Sequence, residues 1–587
     1  MEKEMREYIR SLKPDKLPDW KELLSKGLDI GKATPTGKSR FLETSGYESY
    51  YAYKKDCAEK GKIVWQILMG LATLDEELEG IREIEKFSKR TGLEIHTVQA
   101  IPSQLICIPR EIRDKAPAPT SYVVDKPEDW AAHGEQSDMQ IIFEDNCLAC
   151  PNSLETTINP LSVASPRIGI LSQFIWDYPG CEDDIKRYSD VVTSLGIVAA
   201  KKDEYIGVDT YLDDGIPAFF MDCMSYVAYA MLSYHIITEL CGARQTISYG
   251  GLLSESDTRL AIAMACDKLL STDEWNAMSY INGSTVMQWD HDIQANWGPT
   301  VHEMLFEILV ERKYKMGLAI NPVSITEKIA VPTLQDLLDV FSAGARAEEK
   351  APEWEPFIDF SKLEEIRDDM CDKAKVMYEN IINGLKECGI DTDNPLEMLC
   401  VLKKFNPMKF EMAFHPSTMN GGSLTAYYPT VIGRQTLAMT NEIIDDLTAK
   451  GYKGALNGLK IVIAAGDGHT YGLQLVESVL KSMGANVVNG GLGLTASDML
   501  DLADEEECEY IGISVHNGQG LDYARIITEL AKERHRKYNI FMGGKLNAIL
   551  PGKSEPEDVT ELIAETGVYP VDDLEEEIKT LIACREG

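Results

Sequence analysis

The chain has 587 residues, 44% hydrophobic and 26% charged, an ordinary globular balance at a length that exceeds one hydrophobic core. Its formal net charge of −37 opposes a phosphate backbone, so no nucleic-acid partner is expected. No apolar run reaches membrane-spanning length and the opening MEKEMREYIRSLKPDK is charged rather than signal-like, so the expectation is a cytoplasmic chain with no membrane partner. Thirteen cysteines, an odd number, read as reduced thiols rather than a disulfide frame. The one CxxC pair, Cys147 and Cys150, lacks a second pair or a His at zinc spacing and reads as core filler.

Residues 1–60 read as a polar helical lead-in, interrupted by Pro14, Pro18 and Pro35. The run 61–70 predicts a buried strand, and a helix follows from about Asp75 to Lys89. Further strand-like runs fall at 94–98, 139–143, 168–171, 196–199, 218–220, 246–249, 277–281 and 316–320. Helical stretches lie between several of them, at 221–240, 258–270 and 301–313. Strand and helix alternating over 61–345 predicts a (β/α)8 barrel of the TIM type. Residues 346–455 carry Lys- and Glu-rich helical patterns and the loop-forming run 415–423, and read as a connecting region.

Residues 456–587 form the clearest pattern. Strands are expected at 459–465, 485–488, 510–514, 539–542 and 568–569, each followed by a helix. Five such units predict a flavodoxin-like doubly wound domain, whose ligands gather outside the carboxyl ends of the strands. Several chemically telling residues fall on that edge. Asp467 and His469 follow the first strand, and Gly472 opens the helix after it. Ser514 closes the third strand, with Gly518 and Gly520 beyond it, and Gly543 and Gly544 close the fourth. An imidazole whose second nitrogen can be held by a nearby carboxylate is a good metal ligand. A loop His capping a helix has the same spacing, so the pair alone leaves both readings open. The glycines admit a flat or extended group close to the backbone, and a serine hydroxyl can bond a ligand nitrogen.

Taken in this order, the residues resemble the cobalamin-binding domain, with its DxHxxG motif, its Ser and its GG pair. The resemblance implies that His469 ligates cobalt in place of the cofactor's own base and that Asp467 holds the other imidazole nitrogen. Gly472 would clear room for the displaced nucleotide tail, Ser514 would bond its base, and Gly543 and Gly544 would line the slot, with Gly518 and Gly520 also at the cofactor. His516 stands where that family usually has Leu.

The runs 486–489 and 517–520 resemble the small subunit of glutamate mutase. The barrel region, in 70–76, 223–250 and 326–333, is similar to that enzyme's large subunit, and both parts share one chain, as in 2-methyleneglutarate mutase. What this implies is an adenosylcobalamin-dependent carbon-skeleton mutase, homo-oligomeric, acting on a small dicarboxylate. The first choice is 2-methyleneglutarate to 3-methylitaconate and the second glutamate to 3-methylaspartate; a corrinoid methyltransferase is the alternative chemistry, and a non-catalytic sensor a third class. Glu144 matches a carboxylate near the substrate and Glu327 one that bonds the adenosyl ribose, although the Lys usually four residues earlier is Val323. The three arginines that clasp glutamate are missing: Leu68 and Ser103 stand in two of the places, and the third falls near Tyr122. Arg110, Arg113, Arg167 and Arg244 are the substitutes to examine.

Overall fold

The computed structural model describes residues 3–115, 121–171, 183–213, 220–250, 256–283, 292–327, 332–419, 424–466, 471–491, 494–515, 519–548, 557–571 and 573–586. Of 114–115, 144–147, 256–257, 431–433, 435–436, 471 and 586 it describes the backbone alone. The chain falls into two compact units that part between Ile432 and Gly433.

The first unit is built on a closed barrel of eight parallel strands in sequence order. They are β1 (Val64–Met69), β2 (Ile95–Ala100), β3 (Gln140–Cys147), β4 (Arg167–Ile170), β5 (Gly207–Leu212), β6 (Arg244–Tyr249), β7 (Met278–Asn282) and β8 (Ala319–Asn321). Each is followed by helix, as the alternating pattern predicts. Two of the sequence expectations do not hold. The run 196–199 is the last turn of the buried helix Asp184–Ala199, and β5 was not anticipated. A fully apolar run reads alike as strand or buried helix, whereas β5 carries Asp209 and Thr210, both buried. Of the run 218–220, positions 218–219 lie outside the described residues.

The wall of the barrel is unusually polar, and many of its polar groups are paired, although Gln245 Oε1 and Ser279 Oγ are buried without a hydrogen-bond partner among the described residues. Arg167 donates to Gln66 Oε1 at 2.9 Å, Gln66 to Gln99 Oε1 at 2.7 Å, and Thr246 and Ser248 donate to Asp209 at 2.8 and 2.7 Å. A buried polar group left unpaired costs about 1–3 kcal/mol, so these bonds offset much of the cost of a polar core.

The stretch expected to connect two domains groups with the barrel as far as Ile432, ahead of the boundary expected at 455. Its long helix Ser361–Glu387 packs on the barrel helices Cys223–Tyr234 and Ser256–Leu270. A buried polar knot ties the chain beyond that helix to the barrel. Glu411 accepts from the backbone N–H groups of Met221 and Asp222 and from Ser225 Oγ, and the Asp222 carboxylate pairs with His415 Nε2 at 3.1 Å.

The second unit is a five-stranded parallel sheet. Its strands are β9 (Lys460–Ala465), β10 (Asn486–Asn489), β11 (Tyr510–Val515), β12 (Asn539–Gly544) and β13 (Tyr569–Val571), in the order β10-β9-β11-β12-β13. This is the doubly wound, flavodoxin-like arrangement. Alternation along the strands separates two cores. Val462, Ala464, Ile511, Ile513, Ile540 and Met542 pack under the helices Ala496–Glu505 and Gly520–Glu533. Ile461, Ile463 and Phe541 face the helices Tyr471–Ser482 and Leu574–Glu586.

Candidate functional site

On that second face the sheet and the two helices do not close completely. A cleft of about 190 Å³ remains between β9, β11, β12 and β13 on one side and the helices Tyr471–Ser482 and Leu574–Glu586 on the other. Gly472, Ser514, Gly543 and Gly544 all line it, together with Gly512, Phe541 and Glu577. One of these glycines is required by geometry and another is closely approached. Gly544 has φ +108°, and a Cβ there would lie 2.1 Å from the Val515 carbonyl oxygen. At Gly512, mid-strand, a Cβ would meet Ile463 Cγ2 at 3.0 Å. A side chain at either position would push into the sheet or narrow the cleft.

The polar groups of the cleft are few. Ser514 is buried and, among the described residues, its hydroxyl makes no hydrogen bond; its carbonyl accepts from Gly466 N–H at 2.9 Å. Glu577 is 5% exposed and its carboxyl has no hydrogen-bond or ion-pair partner among the described residues. Burial alone pushes its pKa up to about 7. A flat, largely apolar slot offering one free hydroxyl and one buried acid suits a heteroaromatic ring carrying nitrogens.

Not all of the sequence-derived positions gather at this cleft. Asp467, His469, His516 and Gly518 lie outside the described residues; the segment of Asp467 and His469 joins the end of β9 to the helix Tyr471–Ser482. Gly520, the first residue of its helix, lies apart from the cleft, against Val515, Leu546 and Ile563 on the other face of the sheet. Glu577 was not anticipated. It sits in a run of three glutamates that reads as an acidic helix start, yet it shares a helical phase with the buried Ile578 and Leu581.

In the barrel unit, the carboxyl ends of the strands carry a chain of hydrogen bonds. Leu68 N–H donates to Asn321 Oδ1 at 3.1 Å, Asn321 Nδ2 to Asn282 Oδ1 at 2.7 Å, Asn282 Nδ2 to Tyr211 OH at 3.4 Å, and Tyr211 OH to Asp213 Oδ2 at 3.0 Å. Glu327 follows β8 at the same end. It is exposed, and partial desolvation, then the Asp213 carboxylate, raises its pKa above the usual carboxylate value. Glu144 lies on β3 where the pairing with β4 jumps from Phe143 to Cys147; its side chain is outside the described residues.

Of the four substitute arginines, Arg167 and Arg244 lie away from this end, and Arg110 and Arg113, in the connection that follows β2, are held in ion pairs. Arg110 is paired with Glu155 and Arg113 with Asp125. Arg167 starts β4 and is buried in the barrel wall, and Arg244 starts β6 and stacks on Tyr205 and Trp275, both at the amino-terminal ends of their strands. Catalytic groups of such barrels sit at the opposite end. Cys150 is buried within 3.8 Å of Thr156 Oγ1, and among the described residues no cluster of His, Cys, Asp and Glu could hold a metal ion. No helix among the described residues is long and apolar enough to cross a membrane.

Comparison with known proteins bears on the second unit. A fused isobutyryl-CoA mutase of Cupriavidus metallidurans is 26% identical over 101 residues, 17% of this chain and 9% of that protein. The chain thus spans only 9% of the length of that curated relative. A solved structure, a cobalamin-binding protein from Desulfitobacterium hafniense DCB-2, is similar at 16% identity over 26% of this chain and 97% of its own, with a TM-score of 0.18. Residues 459–567, which hold β9 to β12 and most of the cleft lining, match the B12 binding domain family, and cobalamin is the cofactor that this match supports.

Proposed function

We propose that the chain is an adenosylcobalamin-dependent carbon-skeleton mutase. The observation that carries this reading is the pairing, on one chain, of a B12-binding domain with a closed parallel eight-stranded barrel, where a methyl-transferring corrinoid protein would carry a small helical cap. The relative from Cupriavidus metallidurans, a mutase by name, points to the same reaction class.

The chemistry that adenosylcobalamin supplies when bound is a carbon-centred radical, released by homolysis of the cobalt–carbon bond. Each residue then has a defined task. His469 would be the cobalt ligand, and Asp467 would orient its imidazole. Ser514 donates to a nitrogen of the nucleotide base in the cleft, and Gly472, Gly543 and Gly544 let that group approach the backbone. Glu327 would bond the ribose of the adenosyl group. Glu144 contacts the substrate and positions it or handles its proton. The second amide N–H of Asn282 and of Asn321, each already fixed through its first, supplies a neutral donor at the barrel mouth. With Arg110, Arg113, Arg167 and Arg244 engaged elsewhere, such donors rather than guanidinium groups grip the substrate's carboxylates. The substrate proposed first is 2-methyleneglutarate, giving 3-methylitaconate; glutamate, giving 3-methylaspartate, is second.

Mixing holoenzyme anaerobically with each acid and recording electron paramagnetic resonance tests the reading. A cobalt(II) signal with 2-methyleneglutarate, together with exchange of label between C5′ of the cofactor and the substrate, is expected. Methyl transfer without such exchange would contradict it. Glu144→Gln should lower turnover roughly 100-fold or more while cobalamin affinity stays nearly unchanged. Equal loss of both would remove Glu144 from the substrate site.

A further inference from the structure

Two acids line the cleft and the proposed chemistry uses neither: Asp573, exposed and accepting from the N–H groups of Glu575 and Glu576, and the buried Glu577 carboxyl. Glu577 is 5% exposed, lines the cleft, and has no hydrogen-bond or ion-pair partner among the described residues. Its depth follows from the helix that carries it. The chain leaves β13 at Val571, on the carboxyl edge of the sheet, and the helix Leu574–Glu586 runs back from there. Glu577 therefore lies about 4–5 Å further in than Leu574. The strand positions divide in the same way: Ser514 and Gly543 pair at the rim, whereas Gly512 and Phe541 pair two residues deeper. The inner part of the cleft is thus flat and apolar, opened by the missing side chain of Gly512, with a single acid in its wall.

On the reading that this cleft takes the nucleotide end of a corrinoid, we propose that Glu577 selects corrinoids whose lower base carries a hydrogen-bond donor over cobalamin itself. The exocyclic amine of adenine and the hydroxyl of a hydroxybenzimidazole are such donors; the two methyl groups of dimethylbenzimidazole are not. A carboxyl already withdrawn from water gains a partner from the first two and is sealed in unsatisfied by the third. Discrimination of tenfold or more is the scale expected when a buried polar group is left unpaired by the wrong ligand.

The test is equilibrium binding of three corrinoids to the full chain and to Glu577→Leu and Glu577→Gln, followed by dialysis and by the shift in visible absorption. The three carry dimethylbenzimidazole, adenine and 5-hydroxybenzimidazole. Bases differ in how readily they leave cobalt, and that cost is the same for every variant, so the readout is the ratio of Kd values compared between variant and wild type. Expected is a ratio of cobalamin Kd to adenine-corrinoid Kd that falls at least fivefold in Glu577→Leu, with a smaller fall in Glu577→Gln, which keeps an acceptor. Far-ultraviolet circular dichroism of each variant establishes that it is folded. An unchanged ratio in both folded variants would overturn the role of Glu577. A wild-type chain that binds none of the three would instead contradict the corrinoid reading of the cleft.

Discussion

At the residue scale the cleft depends on what is absent from its walls as much as on what is present. Gly544→Ala places a methyl 2.1 Å from the Val515 carbonyl oxygen on a backbone with φ +108°, and should destabilise the second unit by about 1–3 kcal/mol, read from its urea unfolding. Ser514→Ala removes a hydroxyl that has no other partner among the described residues. It should leave stability within about 0.5 kcal/mol and weaken cobalamin binding roughly fivefold to tenfold, read by absorption titration. Unchanged affinity would exclude Ser514 from contact with the base. Much of this site was legible from residue type and spacing, since Gly472, Ser514, Gly543 and Gly544 all line the cleft. Glu577 was not, because an acid in the first turn of a helix ordinarily faces water beside the positive end of the dipole. Only its phase with Ile578 and Leu581 marks it as inward-facing. Substituting Arg167 and Arg244 for substrate-binding arginines failed for a related reason: spacing does not show that both open their strands rather than close them.

At the element scale, the barrel was legible through alternation, and the errors lie where burial hides it. The helix Asp184–Ala199 is buried along most of its length and meets the helix Trp20–Ala33 at a close crossing. There a Cβ at Gly27 would lie 2.0 Å from Thr193 O, and one at Gly196 would lie 2.4 Å from Leu24 O. A helix covered on both sides has no polar stripe, so its last turn imitates a strand. Gly27→Val should force the two backbones apart and cost more than about 2 kcal/mol, measured as a lower unfolding midpoint of the barrel unit. A midpoint unchanged within error would show that the crossing is slack. Strand β5 was hidden for the opposite reason. Its inward Asp209 is satisfied by Thr246 and Ser248 of the neighbouring strand β6, which no pattern of apolar residues reveals.

At the scale of the whole molecule, acidity governs behaviour with pH. Burial raises the pKa of Glu77 and Glu311 to about 8 and of Glu411 and Glu577 to about 7. Such acids bind protons more tightly folded than unfolded, so their contribution is most favourable below about pH 4.5 and is lost as pH rises through 7 to 8. Self-repulsion of a chain carrying a net charge of −37 acts in the same direction. The thermal midpoint should therefore fall between pH 5.5 and pH 8.5. Glu577→Gln should relieve the second unit of about 2 kcal/mol of that loss, and a flat or rising profile would contradict the burial of these groups. The account as a whole rests on cobalt being held in the second unit by His469. Holo protein grown with 15N-histidine and reduced to cobalt(II) tests this most directly. Electron paramagnetic resonance should show the superhyperfine pattern of a single 15N nucleus, absent in His469→Ala, whereas a pattern unaltered by the label would mean that the cofactor's own base remains attached and would contradict the account.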